Sequence, residues 1–274
     1  MPANEAERTQ SRSHVLFFDD FSSGELDRSK WNVRITGNIY NDEQQAYVDS
    51  SETIYLVSAQ EALGASQGAL VFHPRYRPAT VSPDGDRFDF ISARIDTRDR
   101  FDFMYGSAAA RLRLPSGPGL WPAFWLLGQG AWPESGEIDV LEYVGEGDWI
   151  SAALHGPGYF GEGGLVNRLY FPTDEDATVW HVYAVHWSPD KMVFTVDGLT
   201  VFHVTRPMTD FFGPWAFDNN KYLILNFALG GTYPFKTNGV HSPYYGLPES
   251  TVQLIREDRV RMIVDWVQVT GHER

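Results

Sequence analysis

The sequence predicts an all-β fold, a sandwich or a barrel, and three observations support this prediction. Short runs of alternating apolar and polar residues recur along the chain, as in 181–187 and 191–197, and a period of two is typical of half-buried strands. Gly, Pro, Asn and Asp separate the runs and supply turns. Helical periodicity is confined to 27–31 and 208–212, and many short strands with almost no helix are typical of sandwiches and barrels.

The clearest strand candidates lie in the middle of the chain. Residues 181–187 and 191–197 alternate in polarity, and the Asp197-Gly198 turn leads into a third run at 201–204, which together predict a three-stranded meander. Further strands are expected at 111–114, 222–229 and 260–269. The stretch 59–86 is rich in Pro, Gly and Ala and is predicted to form loops between strands.

We expect one domain covering residues 15–272, because sandwiches extend beyond about 200 residues as a single domain. Residues 1–14 are polar and charged and are predicted to be a disordered leader. They lack the apolar segment of a signal peptide. No apolar run in the chain reaches the length of about 20 residues that a membrane span needs.

Composition excludes several classes of protein. The 274 residues include 22 Lys and Arg against 36 Asp and Glu, a net charge of -14, and phosphate binding needs clustered basic residues, so no nucleic-acid partner is expected. The absence of Cys excludes disulfides, zinc-thiolate sites and a cysteine nucleophile. Nine Trp, 13 Tyr and 18 Phe need burial or a ligand, so the chain is expected to be folded.

Three acidic residues, Glu137, Asp139 and Glu142, alternate with apolar residues in the segment SGEIDVLEYVG. This alternation predicts a strand with an apolar opposite face. On a regular strand Glu137 and Asp139 share a face and Glu142 points the other way. A one-residue bulge at Val140-Leu141 would bring all three carboxylates to one face, and bulges are frequent beside active sites.

Two glutamates with a carboxylate between them suit the cleavage of a glycosidic bond, in which one attacks the anomeric carbon and the other protonates the leaving oxygen. The middle Asp can separate the two titrations. A charged strip on an exposed strand is the alternative interpretation. Upstream, Trp121 and Trp125 lie four residues apart and share a face of any strand. Indole rings suit the apolar faces of sugars, and core packing is their alternative role.

The segments GLWPAFWLLG, SGEIDVLEYVG and ALHGPGY, in that order, resemble glycoside hydrolase family 16 in its laminarinase-like branch. Other blocks follow the family order along most of the chain, among them FFDDFSSGELDRSKW, NDEQQAY, YLILNFALGG and MIVDWVQV. The resemblance implies a concanavalin-like β-jelly-roll sandwich of two antiparallel sheets with a concave substrate cleft. It also implies a retaining, endo-acting hydrolase that cleaves β-1,3-glucan by double displacement through a covalent glycosyl-enzyme.

By the same resemblance Glu137 is expected to be the nucleophile, Glu142 the acid/base and Asp139 the assisting carboxylate. The substrate-binding residues that it implies are Trp121, Trp125, Asn41, Arg94, His155 and Asn226. A satisfied strand histidine and a surface cation are the alternative interpretations of His155 and Arg94. The chain also departs from the family: relatives usually carry Gly-Arg-x-Glu-x-Arg where residues 106–111 read GSAAAR, which puts the subsite preference in question.

The resemblance further implies a structural Ca²⁺ on the convex side, held by Asp20, the carbonyl of Gly68 and Asp265. Oxygen ligands of this kind suit Ca²⁺. Ordinary surface hydrogen bonds are the alternative for both aspartates. No cofactor is expected to take part in catalysis.

Four alternatives to a β-1,3-glucanase remain open at this point. The same fold acts on mixed-linkage glucan or on galactans, as in agarases and carrageenases, but sulfated galactans would be repelled by an acidic cleft. Non-catalytic glucan-binding modules typically lose the glutamates that this chain keeps, and a transglycosylase would share the covalent intermediate. The expected partner is a neutral polysaccharide, and the protein is expected to be a secreted monomer because the polymer is extracellular.

Overall fold

The computed structural model describes residues 13–37 and 40–272, and most of its regular structure is β-strand. The strands are β1 (Ser13–Asp19), β2 (Asn32–Val33), β3 (Gln45–Tyr47), β4 (Ile54–Ser58), β5 (Gly68–Phe72), β6 (Arg75–Val81), β7 (Arg87–Ser92), β8 (Arg94–Asp96), β9 (Gly106–Arg113), β10 (Leu120–Gly128), β11 (Glu137–Glu142), β12 (Trp149–His155), β13 (Leu165–Tyr170), β14 (His181–Trp187), β15 (Lys191–Val196), β16 (Leu199–Thr205), β17 (Lys221–Leu229) and β18 (Met262–His272). The helices are α1 (Arg206–Asp210), α2 (Thr232–Asn238) and α3 (Glu249–Arg256), with a 3₁₀ turn at Gly161–Gly163.

Two large antiparallel sheets form the layers of the molecule. The eight-stranded sheet has the order β16-β15-β14-β9-β18-β5-β4, with β1 also paired to β18, and the seven-stranded sheet has the order β13-β12-β11-β10-β17-β8-β2. The predicted sandwich of two antiparallel sheets is therefore confirmed. A third sheet, β3-β7-β6, was not predicted, and its β3–β7 pair is parallel.

The core lies between the two sheets because their strands turn alternate residues inward. Strand β9 buries every second residue from Gly106 to Leu112, and the first three of these four residues are Gly or Ala. Among the fully buried aromatic residues are Trp31 and Trp187, so part of the aromatic surplus in the composition is structural. Strand β17, in the middle of the seven-stranded sheet, is buried along its whole length.

The predicted meander is confirmed by β14, β15 and β16, which pair as consecutive antiparallel strands. The prediction of loops over 59–86 was wrong, because β5 and β6 lie within that stretch and β5 is buried throughout. A continuous apolar run on a strand buried on both faces does not alternate, so the period-two pattern did not reveal it. Helices α2 and α3 were also missed.

The N-terminal boundary differs slightly from the expected one. Residues 1–12 of the predicted leader lie outside the described residues, whereas Ser13 and His14 belong to β1 and pair with His272 and Gly271 of β18. The described part of the sandwich thus begins two residues before position 15. Its helices are all too short, or too polar, to cross a lipid bilayer.

Candidate active site

Strand β11 carries the three acids, and its pairing shows the bulge that the sequence predicted. Along β10, Phe124 pairs with Leu141 and Trp125 pairs with Asp139, so Val140 is the extra residue. The register of β11 against β12 shifts between Asp139 and Glu142 as well. This extra residue turns the Glu142 side chain to the face that Asp139 occupies, which a regular strand would not do.

The carboxylates converge on a partly buried cluster with His155 of β12. The His155 Nε2 atom lies 3.3 Å from Asp139 Oδ2 and 3.9 Å from Glu137 Oε1. One ligand atom from each of these three residues lies within 4.8 Å of the others. On the opposite face of the strand, Ile138 and Leu141 are fully buried in the core. Because these apolar side chains point into the core, the acidic side chains point away from it.

Burial disfavours ionisation of all three acids, and repulsion by Asp139 adds to this effect at the two glutamates. Burial, and after it the charge of Asp139, raises the pKa of Glu137 to about 8. The same two causes raise the pKa of Glu142 to about 8, and burial alone raises that of Asp139 to about 8. The cluster therefore retains protons near neutral pH, so a protonated carboxyl and a carboxylate can stand side by side.

Trp121 lies beside Glu142. Its indole N–H donates a hydrogen bond to Glu142 Oε1 at 3.2 Å, which stabilises the carboxylate and lowers its pKa against the effect of burial. The ring also meets Tyr233 of α2 edge to face, with centroids 5.5 Å apart. The Tyr233 hydroxyl shares a hydrogen bond of 2.8 Å with Ser151 of β12, so α2 closes over this end of the cluster.

Trp125 anchors a second group of polar side chains, on the β17 and β8 side of β10. Its indole N–H donates to Asn226 Oδ1 at 2.7 Å, and the Arg94 guanidinium lies over its ring, 4.9 Å from the centroid. Asn226 in turn donates to the Tyr47 hydroxyl at 3.0 Å, and that hydroxyl donates to Glu43 at 3.4 Å. Three predicted binding residues are thus brought together here.

Trp132 and Phe160 border the cluster near Glu137. A hydrogen bond from the Trp132 side chain opposes the rise in the pKa of Glu137. The Trp132 ring lies 6.4 Å from that of His155 and 5.3 Å from that of Phe160. Both aromatic residues are about half exposed, so their faces remain available to a ligand.

Asn41 is placed differently from the other predicted binding residues. Its side chain is exposed, its φ is +53°, and its carbonyl accepts the backbone N–H of Thr232 at 2.7 Å. These contacts fix the start of α2, the helix that carries Tyr233. Among the described residues, the hydrogen bonds of Asn41 are with Thr232, and none is with Glu137, Asp139 or Glu142.

Sequence reasoning missed Glu43, Tyr47, Trp132 and Tyr233 as members of the site. The first two belong to the block NDEQQAY, whose polar residues could have been considered together. Trp132 precedes Glu137 by five residues, and this closeness in the sequence is the signal that could have assigned it. Nothing local marks Tyr233, because only the contact between α2 and β10 brings it to Glu142.

The residues expected to hold Ca²⁺ do not fit a metal site as they are arranged. The fully buried Asp265 already accepts the backbone N–H and the hydroxyl of Ser66, at 2.6 and 2.9 Å, and forms an ion pair with Arg111. One oxygen of Asp20 accepts two hydrogen bonds from Ser22. The charge that a cation would neutralise at Asp265 is thus neutralised by a guanidinium, and Gly68 lies against the Phe21 carbonyl in a close backbone approach.

The family model of glycosyl hydrolases family 16 matches residues 38–230, more than half of the chain. The chain belongs to glycosyl hydrolases family 16. The resemblance to family 16 seen in the sequence is thereby confirmed, and laminarinases among the similar structures confirm its laminarinase-like branch. The position of the three acids on a bulged strand is consistent with this family.

Several glucanases are similar to the chain. A glucan endo-1,3-beta-glucosidase of Cryptopygus antarcticus is 34% identical over 232 residues, which are 78% of this chain and 80% of that protein. A beta-glucanase of Rhodothermus marinus is 29% identical over 243 residues, 83% of this chain and 80% of that one. The X-ray structure of an endo-beta-1,3-glucanase from Pyrococcus furiosus superposes with a TM-score of 0.81 at 29% identity and covers 96% of both chains.

Proposed function

We propose that the protein is a retaining endo-β-1,3-glucanase. The observation that carries the proposal is the convergence of Glu137, Asp139 and Glu142, which the bulge at Val140 brings to one face of β11. Membership of family 16 supports the reaction class. The names of the relatives, which describe β-1,3-glucan cleavage, support the substrate.

The reaction follows from the two protonation states that the cluster can hold. The Glu137 carboxylate attacks the anomeric carbon while Glu142 gives its proton to the departing glycosidic oxygen, which forms a covalent glycosyl-enzyme. Glu142, now ionised, takes a proton from water, and the resulting hydroxyl displaces Glu137 with net retention of configuration. Asp139 lies between them with His155 at 3.3 Å, and we assign it the role of holding the nucleophile and separating the two titrations. No cofactor takes part.

A neutral glucan suits the charge of the protein and its cleft. The chain carries a net charge of -14, and Arg94, which lies over Trp125, is the basic side chain at the centre of the polar group described above. A sulfated galactan would meet an acidic surface that repels it. Mixed-linkage glucan stays the second candidate, because the stacking of Trp121 and Trp125 on a sugar face does not by itself select one linkage.

A substrate panel tests the proposal. We expect hydrolysis of laminarin and curdlan with oligosaccharide products of several sizes, weaker cleavage of lichenan, and none of agarose or carrageenan. Proton NMR of the first products should show the β-anomer. Cleavage of a galactan, or the α-anomer as first product, would contradict the proposal.

Two variants test the roles of the glutamates. Glu137→Gln should abolish cleavage of laminarin while the circular dichroism and melting temperature remain those of a folded protein. Azide should restore activity to Glu137→Ala with inversion and to Glu142→Ala with retention, because azide replaces the nucleophile in the first and intercepts the glycosyl-enzyme in the second. If neither substitution lowers activity, the roles given to Glu137 and Glu142 are wrong. If the unmodified protein binds laminarin without cleaving it, the chain would be assigned to glucan binding alone. Elongated products at high substrate concentration would reveal transglycosylation.

We further propose that the enzyme acts outside the cell, as a monomer. Polymeric glucan is too large to enter a cell intact, so its depolymerisation precedes uptake. Assay of culture supernatant and of cell lysate from the source would test the location. Sedimentation at several protein concentrations would test the oligomeric state.

A further inference from the structure

A patch of exposed apolar side chains lies on α1 and the turn that follows it. Phe211 is 85% exposed, Phe212 54% and Met208 49%. The two phenylalanine rings meet edge to face with centroids 5.1 Å apart. Exposed rings of this size leave apolar area in water, and contiguous patches of them mark binding surfaces on proteins.

The patch is fixed to the backbone that follows His155. A Cβ added to Gly213 would lie 1.8 Å from the carbonyl oxygen of Pro157, and one added to Gly158 would lie 2.5 Å from that of Phe212. The two backbone segments therefore touch, and neither tolerates a side chain at the contact. The position of the Phe211–Phe212 turn is set by the same strand end that places His155 in the active site.

Exposed rings also lead from this region towards the carboxylates. Phe160 follows the Pro157–Tyr159 turn and is 46% exposed, as is Trp132, which it contacts at 5.3 Å. Trp132 in turn lies 6.4 Å from His155. The rim of the cleft on this side is therefore aromatic, and the Phe211–Phe212 patch adjoins the segment that carries it.

We propose that Phe211 and Phe212 form a second contact surface for the β-glucan chain, outside the catalytic cleft. This inference rests on the proposed function and extends it. The C–H faces of pyranose rings pack on flat aromatic rings, and a neutral polymer is not repelled by the exposed Asp210 between Met208 and Phe211. Because the patch is packed against the Pro157–Gly158 backbone that leads to Phe160, a chain held there raises the effective concentration of polymer at the cleft.

Binding to an insoluble glucan tests this surface directly. In a Glu137→Gln background, which prevents digestion, the Phe211→Leu/Phe212→Leu variant should be retained on curdlan roughly tenfold less well than the parent, since one of two linked contacts is lost. The Phe211→Tyr/Phe212→Tyr variant should be retained like the parent, because its rings are still flat. This pair separates stacking on a sugar from mere hydrophobicity. A Leu63→Ala variant, at another exposed apolar side chain, should bind like the parent.

Activity measurements complete the test. In the active enzyme, Phe211→Leu/Phe212→Leu should lower kcat/KM on curdlan and leave kcat/KM on laminaritetraose unchanged. Unaltered retention on curdlan, or an equal loss for Leu63→Ala, would overturn the proposal. A third outcome would also overturn it: the Leu variant loses self-association, or binding to phosphatidylcholine vesicles, while its retention on curdlan is unchanged. The patch would then serve a protein or lipid partner. Hydrolysis of laminarin by the unmodified enzyme, measured in parallel, shows whether the proposed function itself holds.

Discussion

Asp139 lies between the two glutamates, and its charge raises the pKa of both of them. In the proposed mechanism, the acid limb of the activity profile reports ionisation of Glu137, and the alkaline limb reports loss of the proton from Glu142. Asp139→Asn removes the repelling charge, so both pKa values fall and both limbs of kcat/KM should move to lower pH. The maximum rate should fall as well, since the nucleophile loses its neighbour. Limbs that stay in place, or that move to higher pH, would contradict the role given to Asp139.

The same three acids make the stability of the fold depend on pH. Folding raises the pKa of Glu137 and Glu142 from 4.5 to about 8, so the folded state binds more protons than the unfolded chain between these values. Their contribution to the free energy of unfolding is fully present below pH 4.5 and is lost as the pH rises through 8. Glu142→Gln, which stays neutral, should therefore raise the melting temperature at pH 8 and change it little at pH 4.5.

Thermal unfolding at both pH values, followed by circular dichroism, checks this effect. Glu162→Gln is a suitable control, because Glu162 is exposed and pairs with Lys236 on the surface. An equal shift for Glu142→Gln at both pH values would show that the effect comes from packing and not from titration.

Residues that share a strand were predictable from their spacing. Residues on other elements were named only through the family resemblance, as Arg94, His155 and Asn226 were, or were missed. The spacing of Trp121 and Trp125 predicted a common face, and both indoles do donate to polar groups of the site. Tyr233 reaches the same cluster from α2, which lies more than a hundred positions along the chain. Only the order of the strands in the sheet brings these segments together.

At the scale of elements, Lys221 at the start of β17 secures the loop that leads into β11. Its ammonium group is buried and donates to the carbonyls of Ser135 and Ala216, at 2.8 and 3.3 Å, and to Asn219 Oδ1. Ser135 precedes Glu137 by two residues. The lysine therefore holds the end of the loop from which β11, the strand of the three acids, begins.

Lys221→Met should destabilise the protein and lower kcat. It removes the donor of the buried Ser135 carbonyl and of the partly buried Asn219 Oδ1, whereas the Ala216 carbonyl keeps its bond from Asn219. A buried group left unsatisfied in this way costs about 1–3 kcal/mol. Urea unfolding measures the loss, and Lys191→Met, at the exposed first residue of β15, is a matched control. A variant as stable and as active as the parent would show that Lys221 does not hold the loop.

The titration of Lys221 has the opposite sign from that of the acids. Burial lowers its pKa from 10.5 to about 7, so the unfolded chain binds the proton more tightly. Its contribution destabilises the fold below pH 7, and that penalty is relieved as the pH rises towards 10.5. In Lys221→Met the rise in stability over this range should be smaller than in the parent.

Strands and bulges were predictable where the alternation of apolar and polar residues marked them. The acids of β11 broke the period of two between Asp139 and Glu142, and that break predicted the bulge that the pairing shows. Strand β5 was missed because GALVF is apolar throughout and lies among Gly and Pro residues. Strand β5 and helices α2 and α3 were missed because their local sequence does not fix their secondary structure, which depends on the residues that pack against them.

At the scale of the whole molecule, Arg111 joins the two central strands of the eight-stranded sheet to the loop before β5. Arg111 lies on β9 and forms an ion pair with Asp265 of β18. It also donates a hydrogen bond to the Gly64 carbonyl at 2.8 Å. Its guanidinium also lies over Trp180, 4.8 Å from the ring centroid. The family resemblance implies Ca²⁺ at Asp265, and in this chain a guanidinium provides the positive charge.

The stability of the protein should accordingly depend on Arg111 and not on calcium. Arg111→Met leaves the buried Asp265 carboxylate unpaired, which costs about 3–5 kcal/mol, whereas Arg113→Met on the same strand, which lies over Trp180 at 5.4 Å, removes only a stacking contact. We therefore expect a large fall in melting temperature for the first variant and a small one for the second. Millimolar Ca²⁺ should leave the parent unchanged and partly restore Arg111→Met, because it supplies the missing charge to oxygen ligands. A parent whose melting temperature rises with Ca²⁺ and falls with EDTA would contradict this account, because the metal would then bind beside the ion pair.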